Sequence, residues 1–252
     1  MSENRKTITK NSDLAFIGEV GKVCPLCGAD LILVKNNRKI RNYEIAHIYP
    51  LNVSEEEKEL LKSCKKLSDN IDDDNNKIAL CIQCHRIYDK TKSVESYNKL
   101  FEIKQQIINK YKVNSLLNNI HIDEDVFMII QNLIKLEKSE EVFLTIKPVR
   151  VENKISDRIL CSKVKAYVAE YYDYVNDCLK KQNLNDKEYD NILMTFKMAY
   201  NNAFSIYPTN QQLIFESLVT WLKAKSNINN EIACEIVISY FVQHCEVFDD
   251  LS

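Results

Sequence analysis

A chain of 252 residues is long enough for one large domain or two ordinary ones, and its 45% hydrophobic content is sufficient for a buried core. Only 3 Gly and 4 Pro argue against a turn-rich all-β architecture and point to helix. The net charge of −2 singles out no partner, although residues 1–110 carry +3 and the remainder −5.

The opening, MSENRKTITKNSDL, has no apolar run of the kind a signal peptide needs, and no later stretch is long and apolar enough for a membrane span. The expectation is a soluble, cytoplasmic protein whose nine cysteines serve as metal ligands and buried thiols, not as a disulfide framework.

In chain order, residues 1–20 read as partly disordered, with a short apolar patch at Leu14–Ile17. VCPLCGADLILVKNNRKIRNYEIAHIYPL reads as a metal knuckle followed by two strands, LILV and YEIAHI, with NNRK as the turn and Pro50 as the stop. SEEEKELLKSCKKL is helical, with Ser54 as N-cap and Glu57 at capping-box spacing. DNIDDDNN is a polar loop, its DDD run expected to be solvated. IALCIQCHRIYDK begins a helix and residues 93–112 form another.

Beyond residue 112 the pattern is helix after helix. DEDVFMIIQNLIKLEK is the first, and LTIKPVRVENK holds the expected break. In 155–180 the apolar residues Ile155, Ile159, Leu160, Val164, Val168, Tyr171, Val175 and Leu179 form one stripe of an amphipathic helix. Tyr189–Phe204, Gln211–Lys223, capped by Thr209 or Asn210, and Asn230–Val247 complete the series. No cluster of His, Asp or Glu at ligand spacing and no glycine-rich phosphate loop occurs in this half.

Chemistry concentrates in the first half. Cys24 and Cys27, then Cys81 and Cys84, form two C-x-x-C pairs separated by 53 residues, a set that suits structural zinc in a four-sulfur shell. Such a shell is closed, so His85, next to Cys84, is left to serve something adjacent. Asp89 lies four residues on, on the same helix face, so the two can grip one divalent ion. His47, at the end of the second expected strand, can take a proton from water. Asn76 lies in the loop before Cys81 and can fix that loop or orient the histidine. Cys64, Cys161, Cys178, Cys234 and Cys245 have no partner spacing and read as buried thiols.

A-H-I-x-P, then N-x-x-x-L-C-x-x-C-H-x-x-x-D, with a C-x-x-C upstream, resembles the zinc-containing HNH endonucleases over about residues 20–95. The resemblance implies an α+β ββα-metal domain, with His47 as general base, Asn76 as loop anchor, and a catalytic divalent ion, Mg²⁺ or another, on His85 and Asp89. It gives Glu44 a supporting role, although its odd spacing from His47 places it on the other strand face, away from the base. Many members carry Asp or His before the base; Ala46 stands there instead and cannot ligate. Arg86, Lys90 and Lys92 flank the motif as candidate phosphate contacts.

PVRVENKI and ACEIVISYFVQHCEVFD, within about residues 145–250, are similar to a C-terminal domain of effectors in bacterial three-component ABC-ATPase conflict systems. That resemblance implies an SMC- or RecN-like ABC ATPase and a small middle component as partners. The domains expected are thus 1–115, a nuclease with structural zinc, and 116–252, helices for regulation, partner docking or self-association. The function expected is DNA cleavage in defence against phage or plasmid. The alternatives are a zinc-stabilised adaptor without catalysis, or a stand-alone restriction or mobile-element nuclease.

Overall fold

The computed structural model describes residues 7–136, 149–181, 186–244 and 247–248. The chain divides into two compact units, Met1–Lys110 and Tyr111–Ser252.

The first unit opens with helix α1 (Lys10–Glu19), where partial disorder around the Leu14–Ile17 patch was expected. Thr9 caps it, its hydroxyl accepting from the Ser12 N–H at 3.2 Å. Phe16 and Ile17 are buried, and Glu19 pairs at 2.5 Å with Lys104, itself only 2% exposed. The polar composition of residues 1–20 concealed a helix held by two apolar side chains and one buried ion pair.

The strands also differ from expectation. Strands β1 (Ile32–Lys35) and β2 (Arg38–Arg41) form a hairpin of their own, so RKIR is a strand and only Asn36 and Asn37 turn. Both asparagines have positive φ, 51° and 57°, as a two-residue type I′ turn requires. Strand β3 (Tyr43–His47) pairs antiparallel with β4 (Lys77–Cys81), a segment read above as the start of a helix. All five residues of β4 are buried, and so short an apolar run carries no period to separate strand from helix.

Between β3 and β4 lie helix α2 (Glu55–Leu60), with its Ser54–Glu57 capping box complete, and one 3-10 turn at 74–76. Helix α3 (Ile82–Lys90) follows β4 at once, and helix α4 spans Val94–Asn118. The core beneath them joins Leu31, Ile45, Ile48, Ile78, Leu80 and Tyr88. The Tyr88 hydroxyl donates to the Ile48 carbonyl at 2.6 Å, which ties α3 to the end of β3. The fold is thus α+β here, as expected.

The second unit is helical. Helices α5 (Glu124–Leu136), α6 (Val149–Lys154), α7 (Arg158–Lys181), α8 (Asp186–Ile206), α9 (Gln211–Ser226) and α10 (Glu231–Gln243) enclose one core. Asn210 and Asn230 cap α9 and α10, each side chain accepting an N–H at 3.0 Å. Ten consecutive residues of α10, Ala233–Val242, are buried, so it runs through the centre. The break expected within 144–154 falls partly outside the described residues, and 149–154 is helix α6; Cys245 also lies outside them. Among the described residues no helix is long and apolar enough to cross a membrane.

Candidate metal and nuclease site

The two C-x-x-C pairs meet. The sulfurs of Cys24, Cys27, Cys81 and Cys84 all lie within 4.8 Å of one another, and those of Cys27 and Cys81 are 3.7 Å apart. A tetrahedral zinc with bonds of about 2.3 Å sets its sulfurs about 3.8 Å apart, so the donor set and its spacing fit that ion. Local structure builds the cage from both sides. In the first pair the Gly28 N–H returns to the Cys24 carbonyl at 2.8 Å, with φ of 74° at Gly28. In the second, Cys81 is the N-cap of α3, and its sulfur accepts from the Cys84 N–H at 3.4 Å.

Charge is unevenly supported in this cage. Burial pushes the Cys24 thiol up, but the N–H groups of Cys81, Leu26 and Cys27 outweigh it and bring the group down to about 7. Burial raises both Cys81 and Cys84; the other sulfurs add to it at Cys84, whereas at Cys81 the N–H and side chain of Cys84 partly offset it. A bound cation would reverse that balance.

His85 sits one residue beyond the cage on α3, between two carboxylates. Its Nδ1 is 2.5 Å from Glu44 Oε2, and its Nε2 is 3.3 Å from Asp89 Oδ2. Glu44 and His47 do take different partners, as their odd spacing on β3 requires. Glu44 nevertheless reaches the metal-bearing helix, because register pairs it with Leu80, and α3 begins two residues later. The two distances fit a protonated ring that donates to both carboxylates, and equally a neutral ring that gives Nδ1–H to Glu44 and leaves Nε2 and Asp89 as donors for a cation.

His47 lies at the other end of β3, opposite Lys77 in the ladder. Its Nε2 is 3.0 Å from Asp72 Oδ1, and the same oxygen is 2.8 Å from Lys77 Nζ. The DDD run was expected to be solvated; its first member is instead 8% exposed, drawn inward by a lysine that is only 2% exposed. Asp74 does face solvent, whereas Asp73 is half-buried and caps the 3-10 turn, its side chain accepting from the Asn75 N–H at 2.8 Å. Sequence reasoning missed Asp72 because its partners stand 25 positions back and five ahead, joined only by the ladder.

Asn76 is 2% exposed and acts on backbone, not on the histidine. Its Oδ1 accepts from the Tyr49 N–H, and its Nδ2 donates to the carbonyls of Tyr49 and Ile71, each at 2.8 Å. It clamps the 71–76 loop onto the segment leaving His47. Arg86 and Lys90 are exposed on α3, whereas Lys92 is 3.0 Å from Glu57 and committed to that ion pair. Ala46 is fully buried, with no side chain to offer an ion.

Two family models match the chain. One, an HNH endonuclease, covers residues 24–92 and contains both the cysteine cage and the two histidines. The first unit therefore carries a domain of HNH endonuclease class. The other, C-terminal domain 11 of the ABC-three component (ABC-3C) systems, covers residues 113–248, more than half of the chain. The protein belongs to the family of ABC-three component proteins defined by that domain. No curated protein and no solved structure matches.

Proposed function

We propose that this chain is a metal-dependent DNA endonuclease and the effector of an ABC-three component system acting against phage or plasmid. Its helical unit would dock an ABC ATPase and a small middle component, which gate cleavage, since an ungated nuclease destroys its own host's DNA. One observation carries the reading: two histidine–carboxylate couples, His47–Asp72 and His85–Asp89, flank the β3–β4 pair within the span matched to HNH endonucleases.

His47 is the general base. Asp72, accepting from Nε2–H, stabilises the imidazolium that forms as the ring takes a proton from water. His85 and Asp89 would hold the divalent ion, and Glu44 would fix the tautomer that offers Nε2 to it. When bound, Mg²⁺ or another such ion supplies neutralisation of the charge that builds on the phosphate and the leaving 3′ oxygen. Asn76 keeps the base's strand end in place, and Arg86 and Lys90 hold flanking phosphates. Zinc in the four-cysteine cage would tie the Cys24–Cys27 knuckle to the start of α3 and add its binding free energy to that of the small core beneath them.

The test is plasmid cleavage by the purified chain with Mg²⁺ or Mn²⁺ and with EDTA, beside His47→Ala and His85→Ala. Nicking or linearisation is expected to vanish in both variants while zinc content and circular dichroism are kept. Cleavage that survives both would overturn these roles, and full-rate digestion by the chain alone would overturn gating. The buried Ala46 favours one second reading, a DNA-binding adaptor; that chain would bind but never cut, even with its ATPase partner and ATP.

A further inference from the structure

The β1–β2 hairpin stands out from the unit that carries it. Residues 33–41 are all exposed, on both faces of the ribbon, and Val34 is 71% exposed. Leu33 and Ile40 on one face are 42% exposed each and only Ile32 packs on the core, so a ribbon that is marginal by itself in water keeps most of its surface open. Its ten residues, ILVKNNRKIR, carry four cations and no anion. Lys35 lies directly opposite Arg38, and like charges so placed repel. Arg41 is held by Asp13 at 3.2 Å, but no ion pair engages Lys35, Arg38 or Lys39 among the described residues.

Register sorts these side chains by face. Leu33, Lys35, Arg38 and Ile40 share one face; Val34, Lys39 and Arg41 share the other. Each face therefore pairs cations with exposed aliphatic carbon. At the root of the hairpin, a cleft of about 490 Å³ lined by Asn42, Gln83, Arg86 and Lys90 continues the basic surface onto α3.

We infer that the β1–β2 hairpin enters the major groove of double-stranded B-form DNA. That groove is about 12 Å wide and admits a two-stranded ribbon. The four cations and no anion of the ribbon suit a groove walled by phosphates on both sides. The narrow major groove of duplex RNA does not admit a ribbon. Single strands are held by stacking on aromatic rings, and the hairpin has none. The inference rests on the nuclease reading only in taking DNA as the substrate, and it names the duplex as the form recognised.

The test measures binding, not cutting: fluorescence anisotropy of the full, zinc-loaded chain on a labelled duplex DNA of mixed sequence, without Mg²⁺ or Mn²⁺. Duplex RNA and single-stranded DNA of the same sequence run beside it. In the triple variant Lys35→Gln, Arg38→Gln, Lys39→Gln, the slope of log K against log salt on duplex DNA should flatten by roughly 2.7. Wild type should then lose about 40-fold more affinity than the variant between about 50 and 200 mM salt. The single variant Lys39→Gln, which disturbs one exposed side chain, should flatten it by about 0.9. Both RNA and single-stranded slopes should move far less. An unchanged slope on duplex DNA, an equal change on RNA, or no binding of wild type to duplex DNA would each overturn the inference. Binding through the hairpin by a chain that never cuts would refute the nuclease reading and leave this one standing; cutting with an unchanged slope would do the reverse.

Discussion

His47 and Lys77 stand directly opposite each other in the β3–β4 ladder and share one acceptor, Asp72 Oδ1, at 3.0 and 2.8 Å. One carboxylate thus serves a histidine in the proposed site and a lysine in the core. The two duties can be separated. Asp72→Asn leaves the Lys77 charge buried with a weaker partner, so stability should fall by up to about 3 kcal/mol in denaturant unfolding. It also removes the charge that stabilises the imidazolium, so kcat for plasmid nicking should fall by about 100-fold or more. Adding Lys77→Met removes the stranded cation. The double variant should regain stability but not rate; recovery of both would assign Asp72 a purely structural role.

Glu44 is about half exposed, so Glu44→Gln should leave the fold intact. The amide is a poorer acceptor for the Nδ1–H of His85, and the ring loses its fixed orientation. Loss of such a supporting carboxylate typically weakens metal affinity about 10- to 100-fold. Cleavage titrated against Mn²⁺ should need that much more metal, with kcat at saturation nearly kept. Equal metal demand in variant and wild type would remove Glu44 from the site.

Cys27 is the exposed member of the cage, so Cys27→Ser removes a sulfur at little cost in core packing. Whatever the variant loses comes from the metal. Atomic absorption should find one zinc per wild-type chain and almost none in the variant. Residues of the first unit should become protease-sensitive in the variant, and in wild type treated with a strong chelator, since the binding free energy of structural zinc is folding free energy. Zinc-free chain that resists protease would overturn the structural role.

Spacing alone made some of this molecule legible. The two C-x-x-C pairs declare themselves because each pair is local, and the helices of the second unit because caps such as Asn210 and Asn230 bracket periodic apolar stripes. The chain shows its family with equal clarity. What stayed hidden depends on long-range pairing. KIALC has no alternation because both of its faces are buried, and RKIR has none because both of its faces are exposed. Asp72 and Glu44 find their histidines only once the β3–β4 register is set, and nothing local announces that register.

Cys81 and Cys84 start the helix on which His85 is the next residue, so the cage and the proposed reactive ring are a single mechanical part. A newly made chain cannot close the cage until residue 84 has emerged, by which time Glu44, His47, Asp72 and Asn76 are already in the chain and His85 is the next residue. Without zinc, the start of α3 loses its tie to Cys24 and Cys27 and is left with the β4 ladder, the Tyr88–Ile48 hydrogen bond and Glu44 to aim the imidazole. On the proposed function, the cell's zinc supply would then limit the fraction of molecules able to cut, alongside any partner.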